Sequence, residues 1–218
     1  MFAAVAALMV SCGDGLDAGT CIDSAEELIE LKESPLLGEL PSLSDQCIEA
    51  SRAARDKAHQ LFENETDGDN RNELLDRKEE VLREIKEYFY PKMTEIAEGL
   101  SGKEIPVKFD DAVFKSAKVT ITKVKVSGDC YFDVKLDTKL ETVAEPDGSP
   151  YAYVAQLLDS NGNVVVVVNW LGENVECSTP FGLSQDGRLL DRFSDYVKDL
   201  FLDQAYHDGA TIYFGSGR

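Results

Sequence analysis

Histidine is almost absent, with two in 218 residues, and neither stands beside a serine or cysteine in the setting of a nucleophile elbow. His59 falls inside a helical pattern and reads as a surface residue, while His207, in AYHDG, precedes a turn. No CxxC pair and no Cys/His cluster occurs, so no zinc site is expected. No glycine-rich loop follows a strand, which removes a phosphate-cradling reading. Basic residues number 22 against 41 acids, for a formal charge of −19. Nucleic-acid binding needs clustered Lys and Arg, and adsorption to anionic lipid needs the same, so both are excluded as expectations. Carboxylate pairs are so common at this acidity that pairing alone carries no glycosidase signal. No apolar run approaches the roughly 20 residues that a helix needs to span a bilayer.

What is present begins at the first residues. Met1 to Val10 are apolar throughout, a run with the length of a signal-peptide core. Leu8, Met9, Val10, Ser11 and Cys12 follow one another at its end, and this stretch resembles the lipobox of bacterial lipoproteins. The resemblance implies that residues 1–11 are removed and that Cys12 becomes a lipidated N-terminus. It also implies a bacterial cell-envelope location, at the outer membrane or cell surface, with the membrane as a partner through the lipid. Two or more acyl chains hold where one would not, at ~0.8 kcal/mol per buried methylene. The competing reading is a short apolar helix or strand tucked into a soluble fold. GDGLDAGT after Cys12 is small and acidic, and residues 12–22 read as a flexible tether.

With Cys12 set aside, Cys21, Cys47, Cys130 and Cys177 form an even set, which in an exported protein permits disulfides. Three connectivities are open. Pairing within each half, Cys21 with Cys47 and Cys130 with Cys177, is the expectation, against the alternative of four free thiols.

Residues 23–101 carry helical signals. Ser24 and Glu27 form a capping box, and Pro35 should end that first helix. Ser44 caps a second helix running to about Glu63, and a third starts near Asn70, with Leu74, Leu75, Leu82, Ile85 and Phe89 on one face. Pro91 interrupts it and opens a further short helix. Between helices two and three, Glu63, Glu65, Asp67 and Asp69 alternate around Gly68, similar to the oxygen ligands of an EF-hand loop, so calcium is the one cofactor to consider. The twelfth position, where that loop needs a bidentate Glu, is Leu74. The alternative is an acidic, solvated turn.

From Gly102 the period becomes two. Ile105, Val107 and Phe109 read as one strand, and a one-residue slip at Thr122 and Lys123 predicts a bulge. Phe132, Val134, Leu136 and Leu140 should point inward from a half-exposed strand. Asn161-Gly162 between two apolar runs predicts a type I′ hairpin, and Val164 to Val168 predicts a central strand covered on both faces. Leu189, Leu190, Phe193, Tyr196, Val197, Leu200 and Phe201 give an amphipathic helix near the end.

The expected architecture is α+β, with an N-terminal helical hairpin over 23–101. It is followed over 102–218 by an antiparallel β-sandwich or curled sheet and one late helix. Tyr151, Tyr153, Trp170 and Phe181 cluster near the valine hairpin and offer an aromatic platform for glycan or peptide, or else finish a core. With no catalytic constellation in sight, a binding or structural role toward a protein or glycan is the reading of choice. Its rivals are an envelope hydrolase using paired carboxylates and a structural component of an envelope assembly.

Overall fold

A computed structural model describes residues 15–143, 153–167 and 209–216. Three helices are followed by strands, an α+β arrangement in which the order expected from the changing period holds. The chain forms two compact units whose sequences interleave. A helical unit takes the residues up to Glu33, Glu39–Ala97 and Val126–Phe132, and a strand unit takes Ser34–Gly38, Glu98–Lys125 and Asp133 onward.

In the helical unit, α1 (Ala18–Leu28) starts within the stretch expected to be a tether. The Asp17 carboxylate caps it by accepting the Thr20 N–H at 2.9 Å, and Cys21, Ile22 and Ala25 are buried. Ser24 therefore lies inside the helix instead of capping it. Helix α2 (Leu40–Asn64) also begins ahead of its expected cap, because Pro41 occupies its first turn, where a missing N–H costs nothing. Leu40, Leu43, Cys47, Ala50, Ala54 and Ala58 form its buried stripe.

Helix α3 (Gly68–Leu100) is one 33-residue element, although Pro91 was expected to divide it. Proline inside a helix costs ~3 kcal/mol through a lost hydrogen bond and a clash with the preceding turn. Phe89, Met93, Ala97 and Leu100 are all buried on one continuous stripe across it, while Pro91 faces solvent. At ~1.5–3 kcal/mol for each large side chain, burying Phe89 and Met93 together outweighs the proline penalty.

In the strand unit, Pro106 splits the strand expected over 105–109 into β1 (Glu104–Ile105) and β2 (Val107–Phe109). The two pieces join different sheets. β1 pairs antiparallel with β3 (Phe114–Val126), placing Ile105 opposite Val119, and β4 (Phe132–Thr142) completes that sheet in the order β1-β3-β4. β2 pairs in parallel with β7 (Gly209–Ser216), Val107 opposite Ile212, so the second sheet is mixed where an antiparallel one was expected. Pro106 cannot donate to a ladder, and its carbonyl accepts the Ile212 N–H at 3.0 Å.

The slip in β3 falls where the sequence places it: Thr122 and Lys123 are both exposed between buried Ile121 and Val124. Val134 of β4 is buried between exposed Asp133 and Lys135. The second sheet runs β2-β7-β5-β6, with β5 (Tyr153–Asp159) between β7 and β6 (Val164–Val167). Among the described strands the valine-rich β6 is terminal, not central. The Phe114 and Phe214 rings meet edge-on at 6.2 Å, one from each sheet. The helix expected over 189–201 lies outside the described residues.

The β5–β6 turn departs from the expected type I′ form. Asp159 and Asn163 close it, with Asp159 N–H donating to Asn163 O at 2.9 Å and Gly162 N–H to Asp159 O at 3.0 Å. Only Gly162 has positive φ, +85°. This is a three-residue loop ending in a left-handed residue, the second-commonest hairpin form.

Candidate functional site

The loop at 126–132, the tip of the β3–β4 hairpin, is tied to α2 and α3 by a disulfide and several side-chain contacts. Its turn repeats the geometry just described, since Ser127 N–H donates to Tyr131 O at 2.7 Å across three intervening residues. The residue in the left-handed position is here Cys130, with φ of +66°, where the other hairpin has glycine. A non-glycine side chain in that conformation costs roughly 1–2 kcal/mol, so its surroundings must hold it there.

They do so from two helices. Cys47 of α2 and Cys130 are joined by a disulfide across 83 residues of sequence. The Ser44 hydroxyl donates to Cys130 O at 2.8 Å, and Ser51 Oγ lies 3.8 Å from Cys130 Sγ. Ser44, Cys47 and Ser51 stand at i, i+3 and i+7, one narrow stripe of small side chains that lets the loop backbone come close. From α3, one turn apart, Lys86 reaches Asp129 at 3.9 Å and the Tyr90 hydroxyl bonds the loop backbone. Ser44, Ser51 and both cysteines are buried, whereas Tyr131 is 58% exposed at the loop's outer end. A rigidly held loop that presents an aromatic side chain to solvent is a common form of recognition element.

The cysteine pairing expected from proximity in sequence is thereby corrected. Cys47 joins Cys130, so neither Cys21–Cys47 nor Cys130–Cys177 forms. Pairing follows spatial approach, here a Cα separation of 5.7 Å that the tip creates by folding onto α2. Cys21 is disulfide-bonded as well. Cys12 and Cys177 lie outside the described residues.

The acidic turn uses its carboxylates on its own backbone. Glu65 Oε1 accepts the N–H groups of Thr66 and Asp67 at 2.8 and 2.9 Å, and Asp67 Oδ1 accepts Asp69 N–H at 2.8 Å as a cap for α3. These bonds hold the Glu65 carboxyl below the ordinary range, the Asp67 N–H contributing most. Glu63 points along α2 to His59 at 3.4 Å, and Arg71 Nε donates to Glu65 O at 2.8 Å. Among the described residues, no group of three or more His, Cys, Asp or Glu side chains is placed to hold a metal. Glu65 and Asp67 thus serve the turn's own backbone, Glu63 lies beside His59, and Asp69 contributes its backbone N–H.

Of the aromatic platform, only Tyr153 falls among the described residues, as the first residue of β5. Tyr151, Trp170 and Phe181 lie outside them. For the carboxylate-based reading, Asp17 and Asp159 are also held below the ordinary range, by hydrogen bonds from Thr20 and from Asn163 respectively. A general acid needs the opposite shift. Asp45 is pushed up by burial, on the second turn of α2. No helix of the described residues is long and apolar enough to cross a membrane.

Ser44, Ser51 and Tyr90 went unrecognised from sequence as site residues. The available signal was the Ser-x-x-Cys-x-x-x-Ser spacing on a helix face, together with a cysteine directly after the Gly128-Asp129 turn. Comparison with known protein families, with curated proteins and with solved structures finds no match for this chain.

Proposed function

We propose that this chain is an exported, lipid-anchored protein of the bacterial cell envelope whose role is to bind or support a protein or glycan partner. The observation that carries the reading is the buried Cys47–Cys130 disulfide. Disulfides of this kind persist outside the reducing cytosol, which agrees with the lipobox-like stretch ending at Cys12. The exposed Tyr131, on a loop fixed by that same disulfide, supports a binding role and is its first contact residue. Tyr131→Ala then weakens partner capture while leaving the fold intact.

The reading constrains the remaining cysteines. A lipidated Cys12 has no thiol to share, and Cys47 and Cys130 are joined, so Cys21 must pair with Cys177. Two measurements test this. In a bacterial host that processes lipoproteins, the full-length protein enters the detergent phase and Cys12→Ser stays aqueous; both in the aqueous phase overturns the anchor. A non-reducing peptide map returns Cys21 linked to Cys177, whereas Cys12 linked to Cys21 rules out lipidation.

A further inference from the structure

The tether behind Cys12 is much shorter than its composition suggests. Leu16 is 8% exposed and part of the helical core, and its carbonyl accepts Arg77 Nε at 3.3 Å. Asp17 follows immediately as the cap of α1. Three residues, Gly13 to Gly15, separate Cys12 from this fixed point. At ~3.3–3.6 Å per residue the four steps from Cys12 to Leu16 reach at most ~14 Å.

We infer that the anchored protein holds its helical unit directly on the membrane, with the start of α1 and the Arg77 stretch of α3 against a zwitterionic headgroup surface of the phosphatidylethanolamine type. The inference rests on the lipid-anchor reading and adds an orientation to it. Arg77 borders an open recess lined by Glu73, Asp76, Glu79, Glu80 and Arg83. Four acids against two arginines give this face no attraction for anionic lipid, so the acyl chains alone hold it in place. A neutral headgroup layer is the surface such a face tolerates at closest range, since it adds no like charge.

Amine-to-amine cross-linking of the lipidated full-length protein in vesicles of phosphatidylethanolamine and phosphatidylcholine tests the orientation. Lys78 adjoins Arg77, and Lys92 lies 14 residues further along α3, ~21 Å at 1.5 Å per residue. Each lysine's lipid adduct is normalised to its labelling by a soluble acylating reagent, because Lys78 is paired with Glu79. The expected result is a several-fold excess of adduct on Lys78 over Lys92, lost when a long Gly-Ser stretch is inserted after Asp14. Equal adducts in a protein that enters the detergent phase, or an excess that survives the insertion, overturns the inference and leaves the anchor standing. A protein found in the aqueous phase instead defeats the anchor itself.

Discussion

The Tyr90 hydroxyl donates to the carbonyl oxygen of Ser127 at 2.5 Å and accepts the N–H of Cys130 at 3.4 Å, so one side chain of α3 serves both ends of a tight turn. Tyr90→Phe removes both bonds while preserving the ring. The expected cost is about 1 kcal/mol, or a fall of roughly 2–4 °C in Tm for a chain of this size. Thermal unfolding of the two proteins checks it, and an unchanged Tm sinks the claim that Tyr90 supports the turn.

The disulfide closes a long loop and should count for more. By loop-closure entropy a bridge across 83 residues is worth roughly 4.5 kcal/mol. The paired change Cys47→Ala/Cys130→Ala should lose about that much in urea unfolding. Cys47→Ala/Cys130→Gly should lose about 1 kcal/mol less, because glycine adopts the φ of +66° without steric cost. Equal losses from the two double variants would show that the left-handed conformation does not persist without the bridge.

Asp17 and Asp45 predict opposite responses to pH. The folded pKa of Asp17 is depressed, so its cap is in force above the unfolded value of ~3.9 and fades as pH falls through the folded value. The stability gap between wild type and Asp17→Ala is thus full at pH 7 and narrows in acid. The folded pKa of Asp45 is raised by burial, so its penalty begins as pH rises past ~3.9 and is complete once pH passes the folded value. Asp45→Asn should therefore exceed wild type in Tm at pH 7 and match it near pH 3. Melting curves of the three proteins across that range decide both signs.

Pro91 faces solvent within a continuous α3. Pro91→Ala restores the N–H and removes the clash with the preceding turn, and should stabilise by up to ~3 kcal/mol. A loss of stability would mean that the helix relies on a kink at this point.

These cases also show what the residues alone could and could not tell. The change of period near Gly102, the slip at Thr122-Lys123 and the alternation through Val134 were legible because each is written in neighbouring residues. The continuity of α3 was not, because Pro91 is a strong local signal and the buried stripe that overrides it runs from Val81 to Leu100. The start of α1 was missed for a similar reason: Gly13, Gly15 and Gly19 give the segment a loop's composition, and the Asp17 cap is hidden among them. The candidate site was the least legible part. Its cysteines lie 83 residues apart, and only the tip's approach to α2 brings Ser44, Ser51 and Tyr90 around them.

Pro106 sends the chain from one sheet to the other, and the strand that follows it finds its parallel partner about a hundred residues later, at Ile212 to Phe214. Pairing across such a separation forms slowly, because a large loop must close before any contact rewards it. During synthesis, β2 emerges long before β7 and must wait with its ladder open. The mixed sheet can then be completed only once β7 has been made, which leaves the strand unit dependent on Gly209–Ser216 and sensitive to their removal.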